Sequence, residues 1–327
     1  MTTTTKLLNF KTLALGAALV GAVTLAVAAQ AQQNVIHLVV PYGTGAVQDT
    51  IARAISEDLG RELGASIVVE NRAGAGGTVG TALVARAKPD GNTLVLAAAS
   101  HHIAGYMYKN LSYRPYEDFV GVANLGNVGY ILMVSASLGA KNTAEFIQTI
   151  KAKPGGYDYA SAGNGSATHL DMASLLAASG LQMQHIPMKS TGDAVNELLA
   201  GRVAAIAPAS IAALPFRNDP RVRMIAYLGA QRSRFAPELP TLAESGVPNY
   251  RFDSWMGILA PAAIPAERRN QINAAVNKIL ADPKVQERLA SLGVETAPST
   301  PQQFQDLLAA DWKAADKLVS DSGAKIE

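Results

Sequence analysis

The stretch Pro41-Tyr42-Gly43-Thr44-Gly45-Ala46-Val47-Gln48-Asp49 constrains this chain most, because a buried strand must stop there and a helix begin. Residues 35–40 are apolar apart from His37 and rich in β-branched side chains, which predicts a strand. Ile51, Ile55 and Leu59 then recur four residues apart, which predicts a helix with one apolar face. Gly43 and Gly45 let the backbone turn tightly and leave amide N–H groups uncovered, while the helix adds the partial positive charge of its N-terminus. Such a corner favours an anion.

A corner of the same kind recurs in the second half. Residues 157–161 read as a short strand and 162–167 as a small-residue loop, with Thr168 and Asp171 as a capping box for a helix ending near Gly180. Between the corners, strands are predicted at 66–70, 93–98 and 130–134, with a glycine loop at 71–77, a helix at 78–87 and a turn at Pro89-Asp90-Gly91. Alternating strands and helices predict parallel βαβ units in an open α/β sheet. Asn142 and Glu145 form a capping box for a helix through Ala152, and Ser190 with Asp193 caps another. Further strands are predicted at 183–186, 203–207 and 223–228. The last third holds an apolar run at 254–260 and helices at 265–280, 283–292 and 300–322, as if packing back on an earlier sheet. No linker is long enough to separate two independently folding halves, so the chain is expected to cross between lobes more than once.

Composition narrows the function classes. Residues 1–31 carry Lys6 and Lys11, an apolar run of about 15 residues from Leu13 to Val27, and Ala29-Gln30-Ala31, the three parts of a secretory signal with cleavage expected after Ala31. That run is shorter than the roughly 20 residues a membrane-spanning helix needs. Without cysteine there is no thiolate chemistry, disulfide framework or lipid-anchoring thiol. The two signal lysines account for the whole net charge of +2, so the mature chain is neutral and offers nucleic acid no basic stripe.

Several motifs in register resemble one family across the mature chain. They are Pro41-Tyr42 with its glycines and Asp49, Val69-Glu70-Asn71-Arg72, Gly74-Ala75-Gly76-Gly77, Pro89-Asp90-Gly91, residues 161–170, Pro187, Lys189, and residues 255–261. Together they resemble the Bug family of periplasmic solute-binding receptors for tripartite tricarboxylate transporters. The resemblance implies a type II periplasmic-binding-protein fold, two α/β lobes joined by two crossovers around an interlobe cleft. It divides the chain into a signal at 1–31, a first lobe at 32–131 and 251–327, and a second lobe at 132–250. It implies a monomeric, periplasmic, non-enzymatic receptor without cofactor or metal, which passes a small carboxylate to the transporter's membrane subunits.

In such receptors two loop-to-helix corners, one per lobe, grip a ligand carboxylate through amides, hydroxyls and water. Here they map onto 42–49 and 161–169, which agrees with the residues themselves, since neither stretch contains lysine or arginine. The donors are the side chains of Thr44, Gln48, Ser161, Asn164, Ser166 and Thr168 and the amides of Gly43, Gly45, Ala46, Gly165 and Ala167. Tyr42, Ser100, His101, Met188 and Pro208 are expected around them, with Asp49 and His169 bracing the loops. Departures from the family pattern are Ala46 for a glycine, Met188 for tyrosine, Ser190 for glycine, and Ala204 and Pro208 for aspartates. Loss of two acids disfavours an amino group on the ligand, so an aliphatic or aromatic carboxylate without one is expected.

Other readings compete at particular residues. The Gly74–Gly80 run fails as a dinucleotide motif because its third glycine is one place late, and neither glycine loop is followed by a Walker lysine. His101-His102 and His169 with Asp171 invite a hydrolase, although His169 and Asp171 are two apart near a helix start and no nucleophile elbow is present. A ligand-free adaptor of a membrane complex is the other alternative. Tyr106, Tyr108, Tyr113 and Tyr116 read as packing, Trp255 as the ring best placed to stack on a ligand, and Arg217, Arg221 and Arg223 as a solvated turn.

Overall fold

The computed structural model describes residues 34–248, 250–252 and 254–322; the signal segment and its expected cleavage after Ala31 lie outside them. Strands β1 (Val35–Val40), β2 (Ser66–Asn71), β3 (Thr93–Ala98) and β4 (Phe119–Val128) come first. They are followed by β5 (Ile131–Ser135), β6 (Asp158–Ser161), β7 (Gln184–Pro187), β8 (Ala205–Ile206) and β9 (Val222–Tyr227). Two more strands, β10 (Ser254–Pro261) and β11 (Val294–Thr296), close the set. One sheet has the order β11-β4-β10-β3-β1-β2 and the other β7-β6-β8-β5-β9. The first sheet therefore takes strands from both chain ends and the second from the middle, the two-lobed α/β architecture of a periplasmic solute receptor.

The helices fill in between: α1 (Val47–Leu63), α2 (Thr78–Ala85), α3 (Ser100–Met107), α4 (Thr143–Ala152), α5 (Ala167–Ser179), α6 (Thr191–Leu199) and α7 (Ser210–Ala213). Three more, α8 (Ala266–Leu280), α9 (Pro283–Ser291) and α10 (Pro301–Ser322), make up the helical last third. Ile51, Ile55 and Leu59 of α1 are fully buried with Ile36, Leu38 and Val40 of β1 in one apolar cluster. Each such side chain contributes about 1.5–3 kcal/mol by leaving water. Gly64 ends α1 in the left-handed conformation, where its amide meets the Arg61 carbonyl. Asn273 of α8 donates to the Val122 carbonyl at 2.9 Å and so pins the returning helices to β4.

Four features differ from expectation. The strand predicted at 130–134 is β5, but it runs antiparallel to β8 and β9 in the second sheet rather than continuing a parallel series in the first. β4, the longest strand of the first sheet, was not predicted, because Gly121, Asn124, Gly126 and Asn127 interrupt its apolar pattern. Those glycines have a packing reason: a Cβ on Gly121 would stand 2.8 Å from the Phe304 ring, which β4 buries. Helix α3 was likewise missed. Thr168 with Asp171 is not the cap of α5; Ser166 is, accepting from the His169 amide at 3.3 Å, and Thr168 lies inside the first turn. The boxes at Asn142 and Glu145, Ser190 and Asp193, and Thr300 and Gln303 do form.

The two lobes meet where the chain crosses. Tyr130, between β4 and β5, accepts the Leu228 amide at 2.9 Å, and Leu228 in turn accepts the Phe252 amide at 2.7 Å. The Tyr130 and Phe252 rings pack edge to face, so the outward and return crossovers lie side by side. Among the described residues no helix is long and apolar enough to cross a membrane.

Candidate functional site

The first corner follows β1. Gly45, at φ 85°, turns the chain into α1, whose N-cap is Ala46 and has no side-chain cap. Asp49, three residues into the helix, supplies the missing acceptor by reaching back to the Gly45 amide at 2.9 Å. Its other oxygen accepts from Arg53 Nε and Asn71 Nδ2, both at 2.9 Å, and Asn71 Nδ2 also donates to the Tyr42 carbonyl. Burial alone would raise the Asp49 pKa, but the bonds from Gly45, Arg53 and Asn71 outweigh it and hold the carboxyl below the usual range. Asp49 stays ionised, buried at 2% exposure, and Arg53 cancels its charge.

The second corner follows β6 and repeats the frame. Gly163 and Gly165 have φ 114° and 74°, Ser166 caps α5, and His169 stands where Asp49 stands in the first corner. Its Nδ1 accepts the Gly165 amide at 3.1 Å, the same four-residue reach as Asp49 to Gly45. Thr168 Oγ1 accepts the Ala162 amide at 2.8 Å and lies 3.0 Å from Ser166 Oγ. Ser161 Oγ accepts the Gly163 amide at 3.1 Å. Burial pushes the His169 pKa down, so its ring is neutral at pH 7.

The amides of Gly45, Ala46 and Gly165, expected as ligand donors, are occupied within the loops, whereas the first two helical amides, Val47 and Gln48 in one corner and Ala167 and Thr168 in the other, meet no acceptor among the described residues. These four donors sit on the positive ends of two helices, and Gly43, Thr44, Gly45 and Asn164 beside them are exposed. Helix α10 of the first lobe packs against α3 and also against α5 of the second.

The remaining predicted residues fall in different places. Ser100 joins the first corner, its Oγ 2.7 Å from the Tyr42 hydroxyl. Met188 joins the second, its amide donating to the Ser161 carbonyl at 2.9 Å. Pro208 is buried at the end of β8, and its carbonyl accepts the Ile131 amide at the crossover. His101 turns into the lobe interior instead: its ring meets Phe119 edge-on at 4.9 Å and its Nε2 lies 2.7 Å from the Pro115 carbonyl. With Tyr42 and Ser100 it borders a crevice of about 10 Å³, too small for a metabolite. Burial and then His102 push its pKa down to about 3, so it offers no positive charge.

Trp255 is also a structural ring, 2% exposed and packed on Phe304 and His102. A hollow of about 800 Å³ lies beside it, between α10, the far half of α5, Pro248 and residues 250–252, and neither corner loop lines it. Tyr106 and Tyr116 pack on Trp312, while Arg217 and Arg221 pair with Glu238 and Asp219 at the surface. Arg53, Asn71 and His185 are the participants that sequence reading passed over. Asn71 entered only as the start of the glycine loop and as part of the Val69–Arg72 motif, and Arg53 not at all.

The arrangement is built to hold, not to react. Asp171 is fully buried with both carboxyl oxygens unpartnered, and burial pushes its pKa well above the usual value, so it carries a proton. It makes no bond to His169, whose Nδ1 is occupied by Gly165, and the pair therefore has no general-base geometry. Among the described residues no group of three or more His, Asp or Glu could hold a metal.

Comparisons with known proteins address the family and the fold. Residues 51–324 match the model of the tripartite tricarboxylate transporter family receptor. Protein BugT of Bordetella pertussis is 32% identical over 89% of this chain and 90% of its own length. The solved structure of R. palustris Rpa4515 with adipate superposes with a TM-score of 0.80 at 28% identity, covering 89% of this chain and 98% of that one. MatC from Rhodopseudomonas palustris with bound malate gives 0.76 at 29% identity, covering 87% and 98%. Sequence, fold and a non-catalytic site thus converge, and the chain belongs to the tripartite tricarboxylate transporter receptor family, whose members are periplasmic solute receptors and not enzymes.

Proposed function

We propose that this receptor captures a small carboxylate between its two corners and delivers it to the membrane subunits of a tripartite tricarboxylate transporter. The observation that carries the reading is the repeated frame: two helix starts, each with an internally braced glycine turn and two unpartnered amides, and no lysine or arginine in either loop. Neutral donors aimed at an anion make charge-assisted bonds roughly twice as strong as neutral ones. Adipate in one structural neighbour and malate in another support an acid as ligand.

The candidate lobes are 32–131 with 251–327, and 132–250, with the Tyr130 and Phe252 crossovers as hinge. A ligand touching both corners shifts the open-to-closed balance, and one touching a single corner does not. Ala204 and Pro208 bring no carboxylate, which favours an aliphatic or aromatic acid without an amino group. The chain acts as a monomer, released from its signal after Ala31.

A thermal-shift screen over mono-, di-, tri- and aromatic carboxylates, each beside its amino analogue, tests this. Binding at a hundred times Kd raises stability by about 2.7 kcal/mol. At least one acid should raise the melting temperature above the shift given by its amino analogue. No shift with any acid overturns the reading.

A further inference from the structure

The second corner is held from outside its own loop by a residue that none of the gripping groups includes. His185, in β7, places Nε2 2.6 Å from Ser161 Oγ, which is wholly buried and also takes the Gly163 amide. The His185 ring stacks on His169 with centroids 4.0 Å apart and planes 11° apart, and on Tyr159 at 4.9 Å. His169 in turn takes the Gly165 amide on Nδ1. Through these contacts one imidazole reaches both glycines of the loop, Gly163 by way of Ser161 and Gly165 by way of His169. Nothing comparable stands over the first corner, where Arg53 and Asn71 hold Asp49 from the surface.

We propose that His185 is a positioning residue for ligand capture, fixing Ser161 and His169 so that the Ala167 and Thr168 amides stay aimed at the ligand. The inference rests on the second corner being half of the carboxylate grip. It requires neutral rings. Nδ1 of His169 accepts an N–H and so bears no proton, and a proton there would set two donors face to face. Two charged imidazoles 4.0 Å apart would also repel.

The surroundings keep the rings neutral. Burial, and then His169, push the His185 pKa down to about 4, and burial lowers that of His169. The titratable group stacked against both is Tyr159 from β6, whose own pKa burial raises further above its usual value, so it brings no charge at neutral or acidic pH. Asp171, two residues along α5, holds its proton. No carboxylate or cation bonds either ring.

The test compares wild type with His185→Phe, which keeps a ring on Tyr159 and His169 but loses the nitrogen facing Ser161, and with His185→Gln, which restores a hydrogen-bonding amide. Amide hydrogen exchange at Gly163 and Gly165 is read in the ligand-free protein, and adipate binding is read by calorimetry at pH 7.5 and pH 4.5. His185→Phe should speed exchange at both glycines at least tenfold and weaken adipate at least tenfold at pH 7.5, with His185→Gln intermediate. Wild type should keep its advantage over His185→Phe at pH 4.5, which is still above the folded His185 value of about 4; titration of adipate itself cancels in that ratio.

If His185→Phe binds adipate like wild type while Gly45→Asp abolishes binding, the positioning role is overturned and the carboxylate reading stands. If wild type responds to no carboxylate, that reading falls, and unchanged exchange at the two glycines in His185→Phe overturns the inference separately. Should His185→Phe fail to fold, the same readouts on His185→Gln decide.

Discussion

The two corners share a frame and differ in the chemistry of the brace. In each, a side chain at the third helical position reaches back four residues to tie down a glycine amide. The first corner uses a buried carboxylate and needs Arg53 and Asn71 to compensate it. The second uses a buried neutral imidazole and needs a second imidazole, His185, to stack on it. An aspartate at 169 would have no arginine beside it and would repel the ligand that the helix start attracts. The difference teaches that the constraint is on net charge at the corner, and either solution leaves it near zero.

The largest expected effect comes from placing a charge where neither corner tolerates one. Gly45→Asp adds an anion and a side chain at φ 85°, so affinity for a bound carboxylate should fall at least a hundredfold, about 2.7 kcal/mol. Calorimetry with whichever acid the screen identifies checks this, and retained affinity would break the comparison at its base.

Next in size is the first brace. Asp49→Ala leaves the Gly45 amide without its acceptor and the half-exposed Arg53 without its partner, and should cost about 1–2 kcal/mol in urea unfolding. Thr168→Ala removes the acceptor for the Ala162 amide in the second corner and should weaken the ligand about tenfold with a smaller loss of stability. A Thr168→Ala protein with wild-type affinity would mean that the second corner is not gripping.

The smallest effect is the most diagnostic of the difference in brace. The folded pKa values of His169 and His185 lie below the ordinary 6.5, so the unfolded chain takes up protons first as pH falls. Their contribution is present above pH 6.5 and is lost on the way down to about 4, the folded value of His185. Asp49, with its pKa lowered, keeps its contribution until pH falls below the usual carboxylate value. His185→Gln should therefore flatten the melting temperature between pH 6.5 and 4.5, and Asp49→Asn should leave that slope unchanged. Asp171 has the opposite sign: its raised pKa makes it a cost as pH rises, so Asp171→Asn should stabilise more at pH 8 than at pH 5.

Much of this was legible in order along the chain, and the gaps have physical causes. Both corners could be read because a glycine turn between a β-branched run and an amphipathic helix is a local pattern. β4 could not, because its glycines and asparagines answer to Phe304, Gln305 and the facing strands, which are distant in sequence. The cap of α5 was placed two residues late because Ser166 and Thr168 are equally good capping types, and only the loop geometry chooses between them. His101 looked available because it follows a strand, yet the unpredicted helix α3 turns it inward. His185 carried no local signal at all, since its partners Ser161 and His169 are 24 and 16 positions away and meet it only when β6 and β7 pair.

The most direct measurement is the crystal structure of the protein with the acid that gives the largest thermal shift. The account predicts carboxylate oxygens bonded, directly or through one water, to helix-start amides of both corners, with no lysine or arginine side chain on that carboxylate. A carboxylate neutralised by a cationic side chain, or held by one corner alone, would contradict it.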